Sequence, residues 1–492
     1  MLTFIIAAAY IFIVMANFAA LRRINVNRFH FIDGVVLGLT YYISIPMAVI
    51  LLYGRIGSDF LTIEDYLPYE DITTTFVIYV ASLMVCGLKI YLPALAPRGR
   101  LASLARLFIS DPVVQMAPEP RHGAHRRAPR WSYVHWLLGV NLAIYYASTI
   151  FVFFRAGVSD GGHWYHATSS LLSESPIYIV IKYFSNFTRT SVFGILGILT
   201  LRHPKYQYRL AVAGAVVCVS DMLMTFNRIT VIYFGILLLI GSWNKIYNII
   251  LGLFCLLFGG VYIGSLWPEF RGQVSNYGYS LSGFADAAAK AIEVNSKSLP
   301  FVDAMNSLFE SFSFTVLNWE VKNYSNISVD FGAYFTRPLG VMIPRAIWPD
   351  RPESFALLLG RNFSKEELAL NSYIIGEPFA NSWLFWPLLL VGAILVNDLV
   401  YRRLSKRDPA WGFIGAIIGF AWWRFDTSFL AVSVVISLII FTGMHILVGS
   451  GSSATGSGSR APRPDRQLAR YEPNRRPARG RGPRRTRQIN AR

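Results

Sequence analysis

The chain has 492 residues, of which 54% are hydrophobic, with a mean hydropathy of +0.42 and a formal net charge of +18. Its apolar residues gather in runs near the ~20 that a helix needs to cross a bilayer, which excludes a soluble multidomain protein. The charge belongs mostly to one end: the last 44 residues carry twelve Arg against Asp465 and Glu472, so the body is only mildly basic and no nucleic-acid partner is expected. Cys86, Cys218 and Cys255 all lie in apolar runs, which argues against a disulfide framework or a zinc site; no metal or cofactor is expected.

The composition and run lengths predict an all-α polytopic membrane protein of about 11 transmembrane helices. Residues 2–21 form an apolar run with no basic stretch before it, and Arg22 and Arg23 follow directly. A cleavable signal would put its positive charge first, so this reads as a retained helix with its amino terminus outside. The second span covers roughly 34–53. After it, residues 54–74 hold Asp59, Glu64, Asp65, Glu70 and Asp71 against a lone Arg55, which suits the outer face. The third span, about 75–95, leads into the basic loop 97–131, with seven Arg and two His, and positive charge places that loop in the cytoplasm. The fourth span is about 136–154, and the loop after it, with His163 and His166, is outside.

The fifth span, 177–200, is the least regular because it contains Lys182 and Arg189. Seven residues apart, these share a helix face. An ionisable residue within a span is a functional candidate, although long basic side chains also snorkel to the interface. The sixth span, 210–225, returns outward to Asn227 and Arg228. The seventh is 229–242 and the eighth 246–267. Residues 268–382 then form one large outer, periplasmic loop. Within it SLFESFSFTVLNWEV has helical spacing, with Phe309, Phe312, Val316 and Trp319 expected to lie on the membrane or on the bundle. Spans nine to eleven cover 383–400, 411–423 and 429–448, and 449–492 reads as a disordered basic cytoplasmic tail. With this alternation every Arg-rich connection falls on one side and the acidic loop on the other.

The outer face therefore collects Arg228, Arg424 and a run rich in Arg337, Arg345, Arg351 and Arg361, interleaved with Trp348 and Asp350. Arginine keeps its charge almost regardless of burial and offers a planar fork suited to phosphate oxygens. Their gathering points to an anionic ligand such as the head of a polyprenyl diphosphate, with Arg228, Arg345, Arg351 and Arg424 lining one cavity. Arg337 and Arg361 read first as snorkelling or interfacial anchors. Glu377, among Gly376, Pro378 and Asn381, is the first choice of base for a sugar hydroxyl, with Asn381 orienting it or binding sugar. Its alternative role is a helix-start carboxylate stabilised by the dipole. Asp350 and Asp426 are further carboxylates to weigh.

The run FGAYFTRPLGVMIPRAIWPDRPESF resembles the signature of Wzy-type oligosaccharide repeat unit polymerases (O-antigen polymerases). IIGEPFANSWLFWPLLLVG is similar to the family's element leading into the next span. FNRITVIYFGILLL and FAWWRFDTSFL resemble the arginine-bearing ends of flanking spans. Together these cover about 225–430. Asp350-Arg351 stands where many relatives have a lysine, and the basic tail lies outside the family pattern. The resemblance implies a glycosyltransferase of broadly GT-C-like character in a bacterial inner (plasma) membrane, its active face periplasmic. It would move a growing glycan between undecaprenyl-diphosphate-linked oligosaccharides, with a chain-length regulator and a flippase as further partners. Glu377, Arg345 and Arg351 would then be catalytic, and Arg228, Arg424, Asn381, Lys182, Arg189, Arg337, Trp348 and Asp426 would bind substrate.

Three rivals stand beside that expectation. An O-antigen ligase differs in its product. A polyprenyl-phosphate-sugar-dependent enzyme would use a metal-assisted acidic pair from Glu64-Asp65 or Glu70-Asp71. A flippase would show basic residues along a central cavity and symmetry between its halves, and no such repeat is visible.

Overall fold

The computed structural model describes residues 2–53, 71–92, 133–155, 176–242, 266–267, 269–298, 309–327, 329–343, 347–364 and 369–453. All regular structure among these residues is helical. The chain divides into a compact unit, Met1–Ile446, and a second unit, Leu447–Arg492. Among the described residues, six helices are long and apolar enough to cross a membrane, and two further apolar helices are shorter. The protein is an α-helical membrane protein.

In chain order the helices begin with α1 (Leu2–Leu21) and α2 (Phe31–Leu39), which continues through a π-helical turn (Thr40–Ser44) into α3 (Ile45–Tyr53). Next come α4 (Ile72–Tyr91), α5 (Tyr133–Arg155), α6 (Pro176–Arg202), α7 (Gln207–Thr225) and α8 (Ile229–Ser242). The segment 268–382 contributes α9 (Leu281–Ser298), α10 (Phe312–Lys322), α11 (Phe331–Met342), α12 (Phe355–Ser364) and α13 (Tyr373–Asn381). The chain then forms α14 (Trp386–Ser405), α15 (Ala410–Trp422) and α16 (Thr427–Ser453). The expected eighth span at 246–267 and the basic loop 97–131 lie outside the described residues, apart from 266 and 267.

The core is built around α15, whose every residue is buried and which packs on α2, α6 and α14. Sequence explains how close that packing is. At Gly34 an added Cβ would fall 1.6 Å from the Ala416 carbonyl oxygen, so only glycine allows the α2 and α15 backbones to meet. Trp423, fully buried, donates its indole N–H to the Val35 carbonyl at 2.9 Å and ties the end of α15 to α2.

Several cross-helix polar contacts lie at the two ends of the bundle. At one, Lys89 pairs with Asp33 at 2.5 Å, Arg202 with Asp408 at 3.2 Å, and Asp398 accepts from the Ile32 backbone N–H at 3.2 Å. At the other, Thr74 reaches Asn318 at 3.1 Å, Arg155 reaches Tyr178 at 3.2 Å, and Arg424 reaches Asn227 at 3.0 Å. Each contact joins residues that charge alternation expects on the same face.

Of the two places expected for the stretch SLFESFSFTVLNWEV, the bundle is the one it takes: α10 packs on α13 and α4, and Phe314, Val316, Leu317 and Glu320 are fully buried. Phe309, Phe314, Leu317, Tyr373, Ile375 and Phe379 also belong to the main hydrophobic core. Helical spacing showed an apolar face but not what it covers. The core of the 268–382 segment is thus part of the bundle and not a free loop.

Candidate functional site

The turn between α7 and α8, the turn between α15 and α16, and the start of α10 meet at one end of the bundle. Arg424 places Nη1 3.0 Å from the Glu310 carboxylate and donates from the same nitrogen to Asn227 Oδ1 at 3.0 Å. Arg228 approaches the same Glu310 oxygen at 3.9 Å. All three charged side chains keep partial contact with solvent. Tyr41, presented by the π-helical turn and packed on Phe309 and Phe420, lies within electrostatic reach of Glu310, Arg228 and Arg424. π-Helical turns inside α-helices are frequent at functional sites.

Backbone strain gathers here too. The non-glycine residues with left-handed backbone among the described ones are Phe226, Glu310 and Tyr373, at φ of 54°, 53° and 60°. Such conformations are costly for bulky side chains and collect where function demands them. Phe226 ends α7 so that Asn227 and Arg228 form the turn, and Asn227 Oδ1 accepts from the Ile229 N–H at 3.2 Å. Tyr373 turns its hydroxyl to the Glu310 carbonyl at 3.4 Å and packs its ring on Trp423.

A second cluster lies beneath α11. Arg337 and Glu377 form a buried ion pair at 2.9 Å, and the guanidinium also sits 5.4 Å over the Phe355 ring. Glu377's other oxygen accepts from the Thr427 backbone N–H at 2.6 Å, at the N-terminus of α16. Asp426 is next to it, and Asp426 Oδ1 accepts from the Phe429 N–H at 3.3 Å. Burial, followed by the charge on Glu377, raises the Asp426 carboxyl to about 7. Between Glu377, Asp426, Asn371 and Thr427 is a cavity of about 10 Å³, the size that holds one water.

Glu320 backs this cluster from α10. It is fully buried, and an added Cβ at Gly376 would fall 2.4 Å from its carboxylate, so glycine at 376 makes room for it. Burial is the main cause that raises its carboxyl to about 8; the Ser372 hydroxyl opposes the shift and Glu377 adds to it. Unfolded, Glu320 ionises near its ordinary value; folded, it keeps its proton up to about 8. The folded state binds the extra proton across that window, so stability is expected to fall as pH rises through it. Glu320→Gln should flatten this part of a plot of melting temperature against pH in detergent. An unchanged slope in the variant would clear Glu320 of it.

The expected site residues divide as follows. Arg228 and Arg424 come together, with Glu310 between them. Arg337 and Asp426 meet at Glu377. Arg337 is only 2% exposed, which corrects the expectation that it binds substrate or anchors at the interface: in this arrangement it has no face open to a headgroup. Arg351 is also used differently from the shared cavity expected for it. Its Nη1 donates to the carbonyls of Gly340 and Ile343, both at 2.6 Å, and closes the C-terminal end of α11.

Asn381 donates to the backbone carbonyl of Glu377 at 2.6 Å and so does not orient that carboxylate. Trp348 is half-buried in the turn before Arg351, whose N–H it accepts at 3.3 Å. Arg189 is buried in the bundle, donating to Asn186 at 2.8 Å and pairing with Asp221 at 3.6 Å, where Tyr145 and Thr230 also donate to Asp221. Lys182, half-buried, lies on the same helix within electrostatic reach of Arg189. The Arg189 pair therefore reads as a pin between α6 and α7 and not as a snorkelling anchor. Arg361 pairs with Glu353 at 3.0 Å on the surface. Arg345, His163 and His166 lie outside the described residues, as do Glu64, Asp65 and Glu70. Asp71 caps α4 by accepting from the Thr74 N–H at 3.1 Å.

Glu310 and Glu320 are the site residues that sequence reasoning missed. Both stand in SLFESFSFTVLNWEV, and an acid amid an apolar, core-forming run is the signal that could have found them. Among the described residues no cluster of His, Cys, Asp or Glu has the geometry to hold a metal ion. No protein-family model matches the chain, nor does any curated protein or solved structure.

Proposed function

We propose that the protein is a membrane glycosyltransferase that polymerises oligosaccharide repeat units carried on a polyprenyl diphosphate. The reading takes eleven spans, an outside amino terminus, a cytoplasmic tail and a broadly GT-C-like plan, with 268–382 on the periplasmic side of a bacterial inner membrane. The observation that carries it is the convergence of Arg228 and Arg424, from two separate turns, on one partly solvent-exposed carboxylate. Glu310 stands where a phosphate would fit: two forked cations face a single anion, and a diphosphate offers them more acceptor oxygens than a carboxylate does.

The second cluster supplies the proton chemistry. In the transfer step an acceptor hydroxyl oxygen bonds to the anomeric carbon of the donor glycan. The carbon–oxygen bond to the diphosphate breaks, and its electron pair leaves with the phosphate. Arg228 and Arg424 stabilise the charge that develops there. Asp426 takes the hydroxyl proton, since a base poised near 7 suits transfer at neutral pH. Glu377 is already engaged by Arg337 and Thr427, so its part is to hold Asp426's surroundings in place and raise its carboxyl.

Asp426 works only without its proton, so elongation is expected to climb with pH through about 7 and level off above it. Asp426→Asn is expected to slow elongation roughly 10²–10⁴-fold and to abolish that climb. A variant that keeps the wild-type pH profile would remove Asp426 from the reaction.

A further inference from the structure

Helix α11 carries two unlike faces. Tyr334 and Arg337 are buried against the bundle, the latter paired with Glu377. The other face presents Phe331, Phe335 and Leu339, which are 47%, 55% and 52% exposed and follow one another at i, i+4 and i+8. The two Phe rings touch, with centroids 5.5 Å apart. This spacing puts three large apolar side chains in one open stripe along the helix.

The stripe is not isolated. The Val329 N–H, two residues before α11, donates to the Ala380 carbonyl at 3.0 Å. That contact places the start of α11 beside the end of α13, and α13 packs on α14. Between α13 and α14 lie Trp383, Leu384 and Phe385, which are 62%, 61% and 52% exposed. Further along α14, Leu388 and Val396 are open as well. Contiguous apolar surface therefore runs from the flank of a helix in the bundle, across an aromatic step, towards α11. Monomer surfaces facing water rarely hold so large an apolar patch.

We infer that α11 lies in the outer layer of the bilayer, its Phe331–Phe335–Leu339 stripe covered by lipid acyl chains. Its composition favours lipid over a protein partner. Trp and Tyr concentrate where a membrane meets water, and here Trp383 precedes α14 while its backbone N–H meets the Tyr324 hydroxyl at 3.4 Å. Charged side chains are missing from the exposed face of α11, as suits a face sunk into hydrocarbon. The same helix holds Arg337 against Glu377, so its seat in the lipid sets the level of that ion pair relative to the bilayer.

The test uses the full chain in nanodiscs with Cys86, Cys218 and Cys255 replaced, and a bimane label at Phe335→Cys or, in a second variant, at Leu339→Cys. A label at Asp286→Cys, an exposed acidic position on α9, serves as the water-facing reference. Brominated phosphatidylcholine is expected to quench the labels at 335 and 339, with aqueous iodide quenching the one at 286. Quenching of 335 and 339 by iodide and not by brominated lipid would overturn the inference. So would protection from both quenchers together with cross-linking between two chains at 335, which would assign the stripe to a second copy. The outcome does not depend on whether the protein transfers sugars.

Discussion

Arg337→Ala is expected to destabilise the protein by about 3–5 kcal/mol, the range for removing one partner of a buried ion pair. The reason lies in what remains. Glu377 is 2% exposed, so its carboxylate would be left buried with the Thr427 N–H as its remaining close partner. Neighbouring Asp426 would lose the nearby cation that partly offsets its burial. Removing both charges is a different experiment. The double variant Arg337→Met, Glu377→Leu should recover much of the loss, because well-packed apolar groups often replace a buried pair at little cost. Thermal unfolding of the two singles and the double would measure the coupling. If Arg337→Ala alone melts like the parent, the pair does not hold α11 to α13.

Arg424→Lys and Arg228→Lys are expected to reduce elongation far more than they reduce the amount of folded protein. Both side chains are partly exposed, so a lysine can keep the charge without a folding penalty. What it cannot keep is the fork: an ammonium is a point charge and cannot span two phosphate oxygens. Alanine at either position should lower turnover by roughly 10²–10³-fold, the loss typical of one preorganised group facing a developing charge. Glu310→Gln discriminates further. If Glu310 competes with diphosphate for the two arginines, the Gln variant should bind the lipid-linked donor more tightly, seen as a lower KM. Weaker donor binding in that variant would mean that Glu310 positions the arginines and does not compete with the ligand.

The helices were legible in the sequence wherever the signal was local. Residues 2–21 and 229–242 are apolar over their whole length and form α1 and α8 over those same residues, because run length and hydropathy set them. The meeting of Arg228 with Arg424 followed from alternation, which put both turns at one end of the bundle. The partners of buried charges were not legible. Arg337 and Glu377 are 40 residues apart, and nothing near either residue says that α11 will fold back onto α13. Nor could helical spacing tell a helix lying on a membrane from one buried in a bundle. It left both places open for α10, which is buried in the bundle, and gave no sign that α11 carries an open apolar stripe. The described arginines of the 337–361 run looked alike in sequence but differ in use. One is buried in an ion pair, one caps a helix and one pairs on the surface.

The most direct measurement of the central claim is incubation of the purified protein with one synthetic undecaprenyl-diphosphate-linked repeat unit, with products read by length. A ladder of whole multiples of the unit is expected from the parent, and one that grows roughly 10²-fold or more slowly from Arg424→Ala or Asp426→Asn. Substrate that stays a single unit while the protein is folded and the donor bound, or a ladder undiminished in both variants, would contradict the account.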